Sequence, residues 1–196
     1  MTRFVRFEHQ GAPVYGIVEG EQVRLVEGDI YGDWKPGEKT LPLEGLKILI
    51  PTEASKVLAL AGNYLDHLGD IPVPQNPEPF YKLPTSLIPQ GEKVVIPLGT
   101  EDVHYELEVV VVIGKQAKNV PTEKALDYVL GITCGCDISA RDWQRNDRQW
   151  WRAKGADTFG PVGPYIFQDE TYQGLDIELR LNGEVKQKST TDMMIH

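Results

Sequence analysis

The chain predicts an α+β fold that is mainly β, and three observations carry that prediction. Short runs rich in β-branched and aromatic residues recur along its whole length, separated by Gly, Asn and Pro. Helical patterning is confined to two stretches after residue 120, so the regular strand–helix alternation of a doubly wound sheet is missing. Asn182-Gly183, set between two strand-like runs, is a strong signal for a two-residue hairpin turn.

In chain order, residues 4–7, 14–18 and 22–26 read as strands, with Gly20 and Gly28 as punctuation. The stretch 33–39, Asp-Trp-Lys-Pro-Gly-Glu-Lys, is polar and turn-rich. It predicts a boundary between a small N-terminal β domain (1–45) and a main domain (46–196). Residues 56–61 form a short apolar strand ending at Gly62-Asn63, 72–79 is a proline-rich loop, and 94–96 predict another strand. A strand over 103–113 follows. Pro121-Thr122 then offers an N-cap for a helix over 123–130, and 132–137 returns as a strand. Ser139 is the expected cap of a polar helix reaching about Trp151. Residues 162–167 and 177–181 complete the strands, and no internal repeat is present.

At 196 residues the chain is long enough to bury a core as one large domain, or one domain with a small appendage. A net charge of −9 argues against nucleic acid or an anionic membrane surface as partner. No apolar run approaches the ~20 residues that span a bilayer. The opening MTRFVRFEHQ lacks the apolar core of a secretory signal, so the expected location is cytoplasmic. Cys134 and Cys136 read as small core residues on a strand. A disulfide two residues apart closes a very tight ring, and two thiolates alone do not make a zinc site.

The chemistry starts in the strand over 103–113. Side chains two apart on a strand share a face at about 6.6 Å spacing, which groups His104, Glu106 and Glu108. The same face continues as Val110 and Val112, so the acids lie where a strand leaves an apolar interior. Two carboxylates there repel unless a positive charge lies between them, and a divalent cation supplies it. The alternative is the wet side of an ordinary sheet.

Further segments keep these acids company: Asn63-Tyr64-Leu65-Asp66-His67-Leu68-Gly69-Asp70, Phe80-Tyr81-Lys82-Leu83-Pro84, Asp137-Ile138-Ser139-Ala140-Arg141-Asp142-Trp143-Gln144 and Arg152-Ala153-Lys154-Gly155. In this order and spacing, from about Leu46 to His196, they resemble the fumarylacetoacetate hydrolase family, in its bacterial 2-hydroxyhepta-2,4-diene-1,7-dioate isomerase and acylpyruvase-like branch. The resemblance implies a mixed β-roll. It makes Glu106, Glu108 and Asp137 the metal ligands, an all-oxygen set that selects Mg²⁺ or Mn²⁺, with Ca²⁺ as a third choice, over zinc. It makes His67 the general base, with Asp70 standing where family members often place a glutamate. Lys154 becomes a substrate-facing cation, and Tyr64, Lys82 and Gln144 line the substrate pocket. Arg141, Arg145, Arg148 and Arg152 alternate with acids on a polar helix and read as surface ion pairs, Trp150-Trp151 as packing, and His104 as a neighbour of the site.

The implied function is metal-dependent hydrolysis of a C–C bond in a 2-oxo acid such as an acylpyruvate. Isomerisation or decarboxylation of 2-oxo-dienedioates is the alternative, because both reactions pass through the same enolate. A non-catalytic metal-binding or scaffolding chain is a further alternative, as is a plain structural domain with solvated acids. Family members continue past His196, so the expectation is a catalytic domain incomplete at its C-terminus. The expected partners are a small-molecule 2-oxo acid and a second copy, as a homodimer.

Overall fold

The structure, a computed structural model, describes residues 1–168 and 172–196. Its strands dominate. The first half runs β1 Thr2–His9, β2 Ala12–Glu19, β3 Gln22–Gly28, β4 Trp34–Pro42, β5 Val57–Ala61, the one-turn helix α1 Leu65–Leu68, β6 Glu78–Lys82 and β7 Leu87–Ile88. The second half runs β8 Val103–His104, β9 Leu107–Ile113, β10 Val129–Cys136, β11 Ser139–Ala140, α2 Arg141–Asn146, α3 Trp151–Gly155, β12 Gly160–Pro161, β13 Tyr165–Gln168, β14 Asp176–Leu181 and β15 Glu184–Thr190.

One seven-stranded sheet, ordered β4-β3-β2-β1-β13-β10-β9, organises the molecule. Its first four strands follow chain order, and β1 then pairs with β13 from far along the chain (Phe4 opposite Ile166). β1 is buried on both faces, as a central strand must be. Phe4 packs with Ile166, Val112, Leu130 and Ile30 on one side. Val5 and Phe7 pack with Val18 and Val23 on the other. Each such side chain contributes roughly 1.5–3 kcal/mol by leaving water. Among the described residues β10 pairs with β13 at Ile132–Phe167, where Gly131 permits the approach: a Cβ there would lie 2.4 Å from the Phe167 carbonyl oxygen.

Several sequence expectations are corrected. Residues 34–42 are a strand and not a turn-rich stretch. Pro36 and Gly37 are tolerated because β4 is an edge strand and the ladder to β3 shifts register between Arg24 and Val26. Residues 94–96 form no strand; the Val95 amide instead donates to the Thr158 hydroxyl at 2.8 Å. The helix expected over 123–130 is a 3₁₀ turn, Thr122–Tyr128, and Leu130 already belongs to β10. The polar helix breaks after Asn146 into α2 and α3, and Ser139 does not cap it but lies in β11. Cys134 is exposed and only Cys136 packs inward. Asn182 and Gly183 do make the hairpin, with φ of 52° and 82°.

Candidate active site

The carboxylates converge because of strand register. β8 and β9 are two parts of one line interrupted at Tyr105 and Glu106, since Ser139 pairs with His104 and Cys136 with Leu107 in the same antiparallel register. Inside the interruption the Asp137 amide donates to the Glu106 carbonyl at 2.9 Å, so these two residues stand opposite each other. Glu108 stands opposite Gly135, which puts no side chain between it and its diagonal neighbour Asp137. The same face continues through Val110 to Val112, a member of the core cluster. The acids thus sit at the rim of the interior, as the alternation predicts. His104 lies on the outer surface, paired with Asp102 at 3.0 Å.

Cations enter from three other elements. Lys154, on α3 and 3% exposed, places its ammonium between Glu106 Oε2 (2.5 Å) and Asp137 Oδ2 (2.8 Å) and also donates to Ser139 Oγ (2.8 Å). Its three N–H bonds are all occupied. Lys82, at the end of β6, donates to Asp137 Oδ1 at 2.6 Å and to the carbonyls of Lys154 and Phe159. Arg141, at the start of α2, binds Glu106 and donates to Gln144 Oε1 at 2.7 Å.

The consequences for charge are uneven. Burial acts to raise the Glu106 carboxyl, but Lys154 and Arg141 overcome it and its pKa falls below the ordinary value. Glu108 receives no hydrogen bond or ion pair among the described residues. Burial, followed by repulsion from Asp137 and Glu106, pushes its pKa up to about 8. Burial lowers the Lys82 pKa against the opposing pull of Asp137. The Tyr64 phenol is pushed up to about 12, first by burial and then by Glu108 and Asp66. Its buried hydroxyl has no hydrogen-bond partner among the described residues.

A cavity of about 420 Å³ opens above this cluster. Glu106, Glu108, Asp137, Lys154, Gln144, Tyr64 and His67 all line it, and Asp70 and Lys82 do not. Lys82 is buried behind Asp137, because β6 points its last side chain into the interior under α3. Asp70 is exposed beyond Gly69, whose φ of 55° turns the chain after α1, and no His67–Asp70 hydrogen bond forms among the described residues. Sequence reasoning also missed participants. Arg141 faces the cluster instead of solvent. Trp150 meets Phe80 edge-on at 5.5 Å to form one wall, and β14–β15 supplies Ile177, Gln187 and Ser189 as a roof. The Arg141-x-x-Gln144 spacing was a usable signal for Arg141, because residues three apart on a helix share a face.

Among the described residues no three His, Cys, Asp or Glu side chains converge closely enough to enclose one ion. The donor set nonetheless fits a hard divalent cation. Three carboxylates share a rim, the Lys154 ammonium already stands between two of them, and the third makes no ion pair among the described residues.

Residues 56–196 match the family model described as fumarylacetoacetate (FAA) hydrolase C-terminal, and residues 2–51 match one described as Rv2993c-like, N-terminal. Protein Rv2993c of Mycobacterium tuberculosis is 43% identical over 163 residues, 81% of this chain and 62% of that protein. The mitochondrial oxaloacetate tautomerase fahd2 of Xenopus laevis is 36% identical over 163 residues, 79% of this chain and 51% of that one. The solved structure of a 2-hydroxyhepta-2,4-diene-1,7-dioate isomerase from Mycobacterium marinum superposes with a TM-score of 0.91 at 34% identity, over 100% of this chain and 77% of that one. The chain spans about three fifths of the length of the first curated relatives it matches.

Proposed function

As this chain belongs to the fumarylacetoacetate hydrolase family, we propose that it is a divalent-metal-dependent enzyme acting on a 2-oxo acid through its enolate. The observation that carries the reading is the rim of three carboxylates in which Glu108 makes no ion pair among the described residues. Glu106, Glu108 and Asp137 would hold Mg²⁺ or Mn²⁺, which when bound supplies a charge that chelates a 2-oxo acid and favours its enolate.

The chain's own residues do the rest. Lys154 holds Glu106 and Asp137 together and adds positive charge at the cavity wall, where negative charge develops on the keto oxygen. Arg141 occupies Gln144 Oε1, which leaves the Gln144 amide NH₂ to donate to a substrate oxygen. The unpartnered Tyr64 hydroxyl offers a second donor. Phe80 and Trp150 exclude water from one side. His67, exposed at the cavity mouth, carries the proton to or from carbon.

Two outcomes share this machinery. In C–C hydrolysis His67 must activate a water, which calls for a carboxylate to fix its tautomer, and Asp70 does not meet it. Enol–keto isomerisation needs a proton delivered to carbon and one released from the enol oxygen, with no attacking water, so the geometry favours it. The names of the tautomerase and isomerase relatives support the same choice. A division of the chain near residue 45 belongs to the proposal too. Family models that meet between residues 51 and 56 support it, although the two parts share one sheet.

The test is parallel assay of enol–keto conversion of oxaloacetate and cleavage of acetylpyruvate, with Mg²⁺ or Mn²⁺. Metal-dependent enol–keto conversion, reduced at least about 100-fold in Lys154→Met, is the expected result. Faster cleavage than isomerisation would reverse the choice between outcomes, and metal-independent inertness towards both would overturn the proposal.

A further inference from the structure

The backbone on either side of Glu106 poses an accounting problem. Glu106 itself pairs inward with Asp137, but its neighbours Tyr105 and Leu107 turn a carbonyl and an amide to the opposite side. That side faces away from β10, at the edge that β9 forms in the seven-stranded sheet among the described residues. Partly buried backbone groups at an edge need partners.

One side chain supplies both. Gln187, on β15, accepts from the Leu107 amide through Oε1 at 2.8 Å and donates from Nε2 to the Tyr105 carbonyl at 3.4 Å. Its carboxamide therefore stands in for a residue of a neighbouring parallel strand, whose C=O and N–H would bond the two residues flanking Glu106 in the same way. The pair of bonds brackets Glu106. The same hairpin reaches the other side of the cavity, where Ser189 Oγ and Asp66 Oδ2 lie 2.6 Å apart on the turn that carries His67. The register that pairs Leu179 with Gln187 and Ile177 with Ser189 puts these four side chains on one face of the hairpin, and Ile177, Gln187 and Ser189 line the cavity.

We propose that Gln187 is a positioning residue: its carboxamide fixes the Glu106 backbone and so tunes the affinity of the carboxylate rim for its cation, while latching the β14–β15 roof to that rim. The part concerning affinity rests on the functional reading above. The part concerning the backbone does not.

Two variants of the full chain separate these parts. Gln187→Met keeps the length and loses both hydrogen bonds, and Gln187→Glu keeps the acceptor for Leu107 and loses the donor. Residue-resolved amide exchange on metal-free protein is measured first, followed by Mn²⁺ titration read by the EPR signal of free Mn²⁺. The Leu107 amide should exchange at least about tenfold faster in Gln187→Met, with β14–β15 still protected, and remain protected in Gln187→Glu. Mn²⁺ affinity should fall about three- to tenfold in Gln187→Met, the range expected for one lost hydrogen bond. Unchanged Leu107 exchange would overturn the proposal outright. Faster exchange with unchanged Mn²⁺ affinity would overturn the tuning and reduce Gln187 to a roof contact. If the wild type binds no Mn²⁺ at all, the functional reading falls, and Leu107 exchange alone decides whether Gln187 positions the strand.

Discussion

With its carboxyl buried beside Asp137 and Glu106, Glu108 keeps its proton up to about pH 8, whereas an ordinary glutamate releases it near 4.5. Between those values the unfolded chain has lost a proton that the folded chain still holds, so stability falls as pH rises through that window. Below the window both states are protonated and the contribution is fully present. Thermal unfolding of metal-free protein should show a melting temperature that declines by roughly 7–14 °C between about pH 5 and about pH 8, with most of the decline gone in Glu108→Gln. An identical slope in that variant would mean the carboxyl is not held neutral. The convergence behind this behaviour was legible in sequence, because side chains two apart share a strand face and Asp137 ends its own strand. Lys82 was not legible as a support for Asp137, since nothing in Phe-Tyr-Lys-Leu-Pro says which way the lysine points. Arg141 was misread because arginines alternating with acids on a polar helix usually pair with each other, as Arg152 and Asp147 do here at 2.7 Å.

At the scale of elements, one close joint is the crossing of β10 and β13, which pair at Ile132–Phe167 among the described residues. Gly131 makes room for it, with the Phe167 carbonyl 2.4 Å and Ile166 Cγ2 2.8 Å from where a Cβ would stand. Gly131→Ala has no flexible neighbour to displace, so it should cost about 1–3 kcal/mol or more in chemical denaturation. A loss below ~0.5 kcal/mol would show that the backbones separate easily. Isolated strands and the Asn182-Gly183 turn were readable because each has a local cause: periodicity, β-branching, or a left-handed turn. The strand Trp34–Pro42 was hidden by Pro36 and Gly37, whose toleration depends on lying at a sheet edge beside a register shift. The break between α2 and α3 was hidden for a similar reason. It lets Lys154 reach the carboxylates from a separate helix, a requirement of tertiary structure with no local signature.

Across the whole molecule, one sheet ties the first four strands to those that lead to the acids, and the cavity lies where α1, the β9–β10 pair, α2, α3 and the β14–β15 hairpin meet. No local pattern predicts that β1 pairs with β13. The closure follows only once Phe4 and Ile166 are known to share a core. The site depends on this closure, because the carboxylates belong to strands whose inner ends are buried in it. On this scaffold Glu106, Glu108 and Asp137 are proposed to form a cation site. Its most direct test is thermal unfolding of the full chain with and without Mn²⁺, in wild type and in Glu106→Ala. At ~100 times the dissociation constant, a cation bound only to the folded state adds roughly 2.7 kcal/mol, a rise of about 5–10 °C for a chain of this size. That rise is expected in wild type and should disappear in Glu106→Ala. No rise in wild type, or an equal rise in both proteins, would contradict the proposed site.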